Sequence, residues 1–315
     1  MESNIPLRIA MLGMIPGNGH PYSWSAIING YDPAEMAKCP YPVIAQYLGA
    51  RPLEEVCIPG AQVTHIWTDD PSEAKSVAAA ARIPHVAERM EDVIGEVDAV
   101  IIATDDGTDH VRRARPFVEA GLPIFVDKPL ATTREELSQF VSWRQSGARI
   151  LSSSGMRYAP ELAALEHQEW RWLTSLTCKS WERYGIHALE PIFRILGAGF
   201  THVRSEAQEG SDLVYCRHQS GAQATISAIS DAVGGFGTIH AYGVDGEQYV
   251  RMRDTYTAFR NQLVSVVEWV RSGADPFPFS DTVELMAILI AAIESRQKGG
   301  ELISIASLLK NIPSL

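Results

Sequence analysis

Over its first half the chain repeats one motif, a short apolar run followed by residues at helical spacing. Residues 7–12 form an apolar run that stops at the glycine-rich GMIPGNG of residues 13–19, the pattern of a buried strand entering a turn. A second strand is expected over 62–67, ending at Thr68, Asp69, Asp70 and Pro71. The Asp-Pro-Ser-Glu start there predicts a helix over the alanine-rich 72–81. A third run, 97–103, leads through Thr104, Asp105, Asp106 and Gly107 into a helix over 108–120, and residues 123–126 give a fourth strand. This alternation predicts a parallel sheet covered on both faces, with ligands at the carboxyl ends of its strands. The loops that begin at Gly13, Thr68, Thr104 and Asp127 are therefore expected to share one crevice.

After residue 154 the pattern changes. Runs at 211–216, 222–229 and 238–243, separated by turn-like Gly and Ser pairs, predict antiparallel strands, and helices over 257–271 and 280–298 close the sequence. A chain of 315 residues suits two domains, and the change of pattern divides it into a doubly wound α/β domain, 1–127, and an α+β domain, 128–315. Between the glycine loop and the second strand, residues 20–59 are too long for one helix and read as an insertion.

Charge narrows the partners. A formal net charge of −11 argues against nucleic acid or an anionic membrane surface, since both require clustered Lys and Arg. The amino-terminal apolar run is short and has no basic region ahead of it, so no signal peptide is expected, and no run approaches a membrane span. The acidity suits a soluble cytoplasmic protein, which is the expectation. Cys39, Cys57, Cys178 and Cys216 are dispersed and read as free thiols, and no His or carboxylate spacing suggests a metal.

Several segments, taken in order, resemble the glucose-fructose oxidoreductase and inositol dehydrogenase (Gfo/Idh/MocA) family: VDAVIIATDDGTDHVRRARPFVEAGLPIFVDKPL at 97–130, GMRYAP at 155–160, GIHALE at 185–190, and the last helix with AIES at 292–295 before Gly299 and Gly300. The resemblance implies a Rossmann domain joined to a domain with a large, open-faced, mainly antiparallel sheet, a nicotinamide dinucleotide at their junction, and a sugar, polyol or sugar-acid substrate. It implies Lys128 and His187 as catalytic residues, with Tyr184 as an alternative proton donor. Many relatives have an aspartate four residues before the histidine. Arg183 stands there instead, which suits a carboxylated or phosphorylated substrate. His20, at the head of the His20, Tyr22, Ser23, Trp24 cluster, and Arg157 are further candidates for substrate contact.

Gly13, Gly17 and Gly19 do not reproduce the G-x-G-x-x-G spacing of a dinucleotide loop, although they lie where one belongs. Thr68 and Asp69 end the second strand, where an acid would bind ribose hydroxyls. The acids favour NAD and the threonine leaves NADP open. Thr104 and Asp105 either flank the cofactor or cap a helix. A hydride-recycling lyase or hydrolase and a non-catalytic dinucleotide or sugar sensor stand as alternatives to a dehydrogenase. The exposed sheet face predicts a homo-oligomer, a dimer or tetramer.

Overall fold

The computed structural model describes residues 5–232 and 236–314. Its first layer is a six-stranded, wholly parallel sheet built from β1 (Leu7–Leu12), β2 (Ala61–Trp67), β3 (His85–Val86), β4 (Ala99–Ile102), β5 (Ile124–Val126) and β6 (Ile150–Leu151), in the spatial order β3-β2-β1-β4-β5-β6. That is the Rossmann order, reversing between β1 and β4. The sheet takes in residues 150–151, past the 127/128 division read from the sequence.

Successive side chains of a strand point to opposite faces, and β1 shows the result. Ile9 and Met11 enter one core; Ala10 and Leu12 enter another. The Ile9 side is covered by α1 (His20–Asn29) and α4 (Pro71–Ala80), with the insertion, α2 (Pro33–Met36) and α3 (Pro42–Gly49), beside them. The opposite side is covered by α5 (His110–Glu119) and α6 (Arg134–Gln145). Local chemistry sets the helix starts. Asp70 caps α4 by accepting from the Ser72 amide at 2.8 Å, with Pro71 in the first turn. Thr133 and Glu136 form a reciprocal capping box on α6.

The second sheet is formed by β7 (Trp170–Cys178), β8 (Phe200–Gln208), β9 (Ser211–His218), β10 (Gln223–Ile229), β11 (Thr238–Gly243), β12 (Gly246–Arg251) and β13 (Ile303–Ser304), ordered β12-β11-β7-β10-β9-β8-β13. The expected antiparallel pairing holds except at its centre, where β7 and β10 run parallel. The crossover helix α7 (Trp181–Leu196) fills one face together with α9 (Phe279–Gln297) and α10 (Ile305–Leu309). The other face carries Trp172, Tyr215, Tyr242 and Tyr249 beside Leu213 and is not covered by any element among the described residues.

One helix crosses this division. α8 (Thr255–Ser272) comes from the second half of the chain, yet its Leu263, Val266, Val267 and Trp269 pack into the Ile9/Met11 core of the first sheet. All four cysteines are free. No helix among the described residues is long and apolar enough to cross a membrane.

Candidate active site

The loop after β1 turns at Gly13 and Gly17, both with positive φ, where a side chain would be strained. Asn18 then locks it onto the neighbouring strands: its Nδ2 donates to the Ala103 carbonyl at 2.8 Å, and its Oδ1 accepts from the His20 amide at 2.8 Å. This places His20, the first residue of α1, beside the end of β5. There its Nδ1 lies 2.6 Å from Oδ2 of Asp127, which has no solvent exposure. The other Asp127 oxygen accepts from the Lys128 amide at 2.7 Å. With the carboxylate as acceptor, His20 Nδ1 carries the proton and Nε2 is left as a base. Trp24 stacks on the imidazole at 4.2 Å, fixing its plane.

His187 approaches from α7. Gly185 precedes it because a Cβ there would meet the Trp181 ring at 2.6 Å. The buried His187 ring is held through Nδ1 by Ser154 Oγ at 2.7 Å. Burial first, then the charges of Lys128 and Lys179, hold this imidazole well below the usual histidine range, so it is neutral at physiological pH. Tyr184 lies edge-on to it, and its hydroxyl accepts from Lys179 Nζ at 2.8 Å. Burial and the nearby Asp105 raise the Tyr184 phenol, which therefore stays protonated. His20, His187 and Tyr184, with Gly17 and Gly19, are among the residues lining a cavity of about 330 Å³ at the junction of the two layers.

Lys128 is 2% exposed and is not among the cavity's lining residues. Its Nζ sits 5.0 Å over the Tyr184 ring and 3.5 Å from Asp105, which in turn accepts from Arg183 at 2.5 Å. Burial alone would raise the Asp105 carboxyl; Lys128 and Arg183 outweigh it and hold it below the usual carboxylate range. Arg183 thus already has its counter-charge within the protein, which removes the need for an anionic substrate to supply one. Arg157 also turns inward, donating to Glu190 and lying over the Phe277 ring at 4.2 Å, rather than lining the cavity.

At the other end of the crevice, Thr68 is buried and donates to the Asp70 carbonyl at 2.5 Å, so its hydroxyl serves the turn. Asp69 is bound through both oxygens by Arg113, at 2.9 and 3.0 Å. Arg113 also donates to Asp109 at 2.5 Å and reaches the underside of Gly13, where a Cβ would stand 3.2 Å from its NH1. Thr104 donates to Asp109 at 3.1 Å, and a Cβ on Gly13 would lie 2.7 Å from its methyl group.

The structure therefore brings together the loops after β1, β4 and β5 as expected, and joins the loop after β2 to them through Arg113. Arg113 and Asp127 were not singled out from the sequence. A signal existed for Arg113, an arginine on the buried stripe His110, Arg113, Ala114, Phe117 of α5. None existed for the pairing of Asp127 with His20, because contact between residues 107 positions apart is set by the topology.

Whether these residues suit a dinucleotide is tested by their unsatisfied atoms. Arg113 NH1, Lys128 Nζ and Arg183 Nε are buried without a hydrogen-bond partner, as are Arg149 Nε and Arg157 NH2. Buried cationic donors are rarely left so, and the three between the Gly13 loop and the end of β5 suit a ligand rich in phosphate and carbonyl acceptors.

A family model described as an oxidoreductase family with an NAD-binding Rossmann fold matches residues 45–153. Among curated proteins, an inositol 2-dehydrogenase of Acidothermus cellulolyticus is 41% identical over 111 residues, 34% of this chain and 32% of that one. Inositol 2-dehydrogenase 2 of Saccharopolyspora erythraea is 36% identical over 100 residues, 31% and 29% of the two chains. The matches thus span about a third of the length of these curated relatives. Whole-chain likeness comes from solved structures. A myo-inositol dehydrogenase of Lactobacillus casei, in complex with NAD(H) and myo-inositol, superposes with a TM-score of 0.74 at 15% identity, over 99% of this chain and 98% of that one. An Agrobacterium radiobacter oxidoreductase in complex with NAD+, L-tartaric acid and magnesium gives 0.72 at 15% identity over 96% and 99%. At such identities the likeness is one of fold.

Proposed function

We propose, from the place of residues 45–153 in the Gfo/Idh/MocA oxidoreductase family, that the chain is an NAD-dependent dehydrogenase acting on a hydroxyl of a ring polyol or sugar. The observation that carries this reading is the His20–Asp127 pair beside His187 at the end of the Rossmann crevice. NAD, when bound, supplies the hydride acceptor for a carbinol carbon. Arg113 and the Gly13–Gly17 loop are the residues to hold its phosphates, with Thr104 and Lys128 at the end nearer the cavity. Asp69 favours NAD over NADP by its charge, while its pairing with Arg113 reduces the repulsion a 2′-phosphate would meet.

The chain's own residues handle the proton. His20 takes it from the substrate hydroxyl at Nε2, and Asp127 keeps the ring in the right tautomer and stabilises the imidazolium that results. His187, neutral and held by Ser154, orients the same hydroxyl through its remaining ring nitrogen. The protonated Tyr184 offers a further donor. Lys128 and Arg183, balanced against Asp105, give the buried end of the site a net positive potential that favours the alkoxide forming in the transition state.

Calorimetric titration with NAD, NADH, NADP and NADPH tests the reading. The NAD pair is expected to bind most tightly, and Arg113→Ala to weaken it about tenfold or more, the loss of one charge-assisted contact. Failure of all four to bind a folded, cofactor-free sample would put the sensor reading first. Binding without release of NADH during turnover would favour the hydride-recycling lyase or hydrolase. The uncovered face of the second sheet is the surface we assign to a second copy of the chain, and sedimentation velocity that finds only monomer at micromolar concentration would refute that.

A further inference from the structure

The insertion between α1 and β2 is the one large element that the dehydrogenase reading leaves without a purpose. Its helix α3 lies directly on the loop carrying His20: a Cβ on Gly19 would come within 2.6 Å of Ile44 and 2.8 Å of Tyr41. It is fastened across the cavity to α8, since Arg51 pairs with Asp254 at 2.8 Å and lies 5.2 Å over the Tyr256 ring. The result is an amphipathic chamber. His20, His187 and Tyr184 supply its polar atoms, while Val43 and Ile44 of α3, Met156, Phe236 and Phe259 supply apolar surface, with the Phe259 ring edge-on to His20 and the Phe236 ring edge-on to His187, each at 5.4 Å. Two of the hydroxyls in the lining, those of Tyr47 and Ser23, are engaged with each other.

That lining constrains what can bind. A compound with a hydroxyl on every ring carbon would place several of them against Val43, Ile44 and Phe259, where they would lose water without gaining a partner. A flat apolar group there gains burial and aromatic contact instead. The volume, about 330 Å³, lies within the roughly 300–1,000 Å³ of small-molecule sites.

We propose that the substrate is a hydroxylated ring bearing an aromatic or comparably flat apolar substituent, and that α3 is the specificity element that receives this substituent. The inference rests on the reading of His20, His187 and Tyr184 as the reacting end of the site.

A matched pair of probes isolates the substituent: phenyl β-D-glucopyranoside and methyl β-D-glucopyranoside, titrated calorimetrically with and without NADH. The phenyl compound is expected to bind roughly tenfold more tightly or better, from burial of one ring. Phe259→Ala should bring the ratio to within about threefold. Val43→Asp should do the same, and Val43 is 60% exposed, so a charge there leaves folding intact should the Phe259 variant misfold. A ratio near one in the parent protein, or no binding of either glucoside, overturns the proposal. The dinucleotide titration in the same buffer judges the dehydrogenase reading separately, because the glucoside ratio is measured whether or not NADH binds.

Discussion

His20→Ala is expected to lose about 10²- to 10⁴-fold in kcat with a much smaller change in KM, the range for removing a positioned general base. The argument starts from Asp127. That carboxylate has no solvent exposure, and its two oxygens are committed, one to the Lys128 amide and one to His20 Nδ1. The imidazole has one tautomer open to it, which directs a bare Nε2 away from the carboxylate, and the stacked Trp24 prevents the ring from turning. Substrate binding, by contrast, is spread over the whole cavity, so losing one imidazole costs little ground-state affinity. Asp127→Asn should reproduce part of the loss, since an amide holds the ring but does not stabilise an imidazolium. Free imidazole added to His20→Ala should restore a measurable share of turnover. Were His20→Ala to keep kcat within about tenfold while His187→Ala lost it, the base would be His187 and the dyad a structural feature.

Asp105→Asn should be the most destabilising conservative change in the site, by about 3–5 kcal/mol, the cost of breaking a buried ion pair by deleting one partner. Asp105 is 1% exposed and faces Lys128, 2% exposed, so the substitution strands an ammonium with no solvent to replace the lost carboxylate. In thermal unfolding this corresponds to a fall of roughly 10 °C in Tm. The sign of the pH dependence follows from the direction of the Asp105 shift. The folded carboxyl titrates below its ordinary value of 3.8, so its stabilising contribution is complete above that pH and is lost as the pH falls through the lower folded value. The gap between parent and variant should therefore stay constant from neutrality down to about pH 4 and close only below it. Removing both charges, as Asp105→Leu with Lys128→Met, should recover part of the loss, because no buried ammonium is then stranded, while Arg183, a third exposed, still loses its Asp105 partner. A double variant no more stable than Asp105→Asn would show that the pair's geometry, and not its charge balance, supports this end of the fold.

The parallel sheet was legible because β1, β4 and β5, largely buried on both faces, read as short apolar runs at 7–12, 97–103 and 123–126, with β2 placed at 62–67 by the turn and helix start that follow it. β3 and β6, two residues each, were not, since so short a segment has no period; β6 lies past the expected domain boundary for the same reason. Amphipathic spacing located α8 to within two residues at each end. Spacing states that a helix buries a face without saying against what, and α8 buries its face on the other layer. In the site, the loop residues were identified by their positions after strands, but not their orientations. Thr68 and Arg157 turn inward to local partners, and Lys128 lies over Tyr184 beside Asp105. Those outcomes depend on which charged neighbour is nearest in space, which a linear reading does not contain.

The placement of α8 also bears on how the molecule is made. Residues 5–151 contain every strand of the first sheet, yet the side lined by Ile9, Met11, Val63 and Ile66 is not closed until residues 255–272 arrive. During synthesis the amino-terminal half therefore emerges with an unfinished apolar face, and must wait for about a hundred further residues before that face is sealed, at roughly 5–20 residues per second. The earliest-made part of the protein is among the last to become stable, so the nascent chain, more than the finished protein, is the form most exposed to misassociation and most dependent on protection.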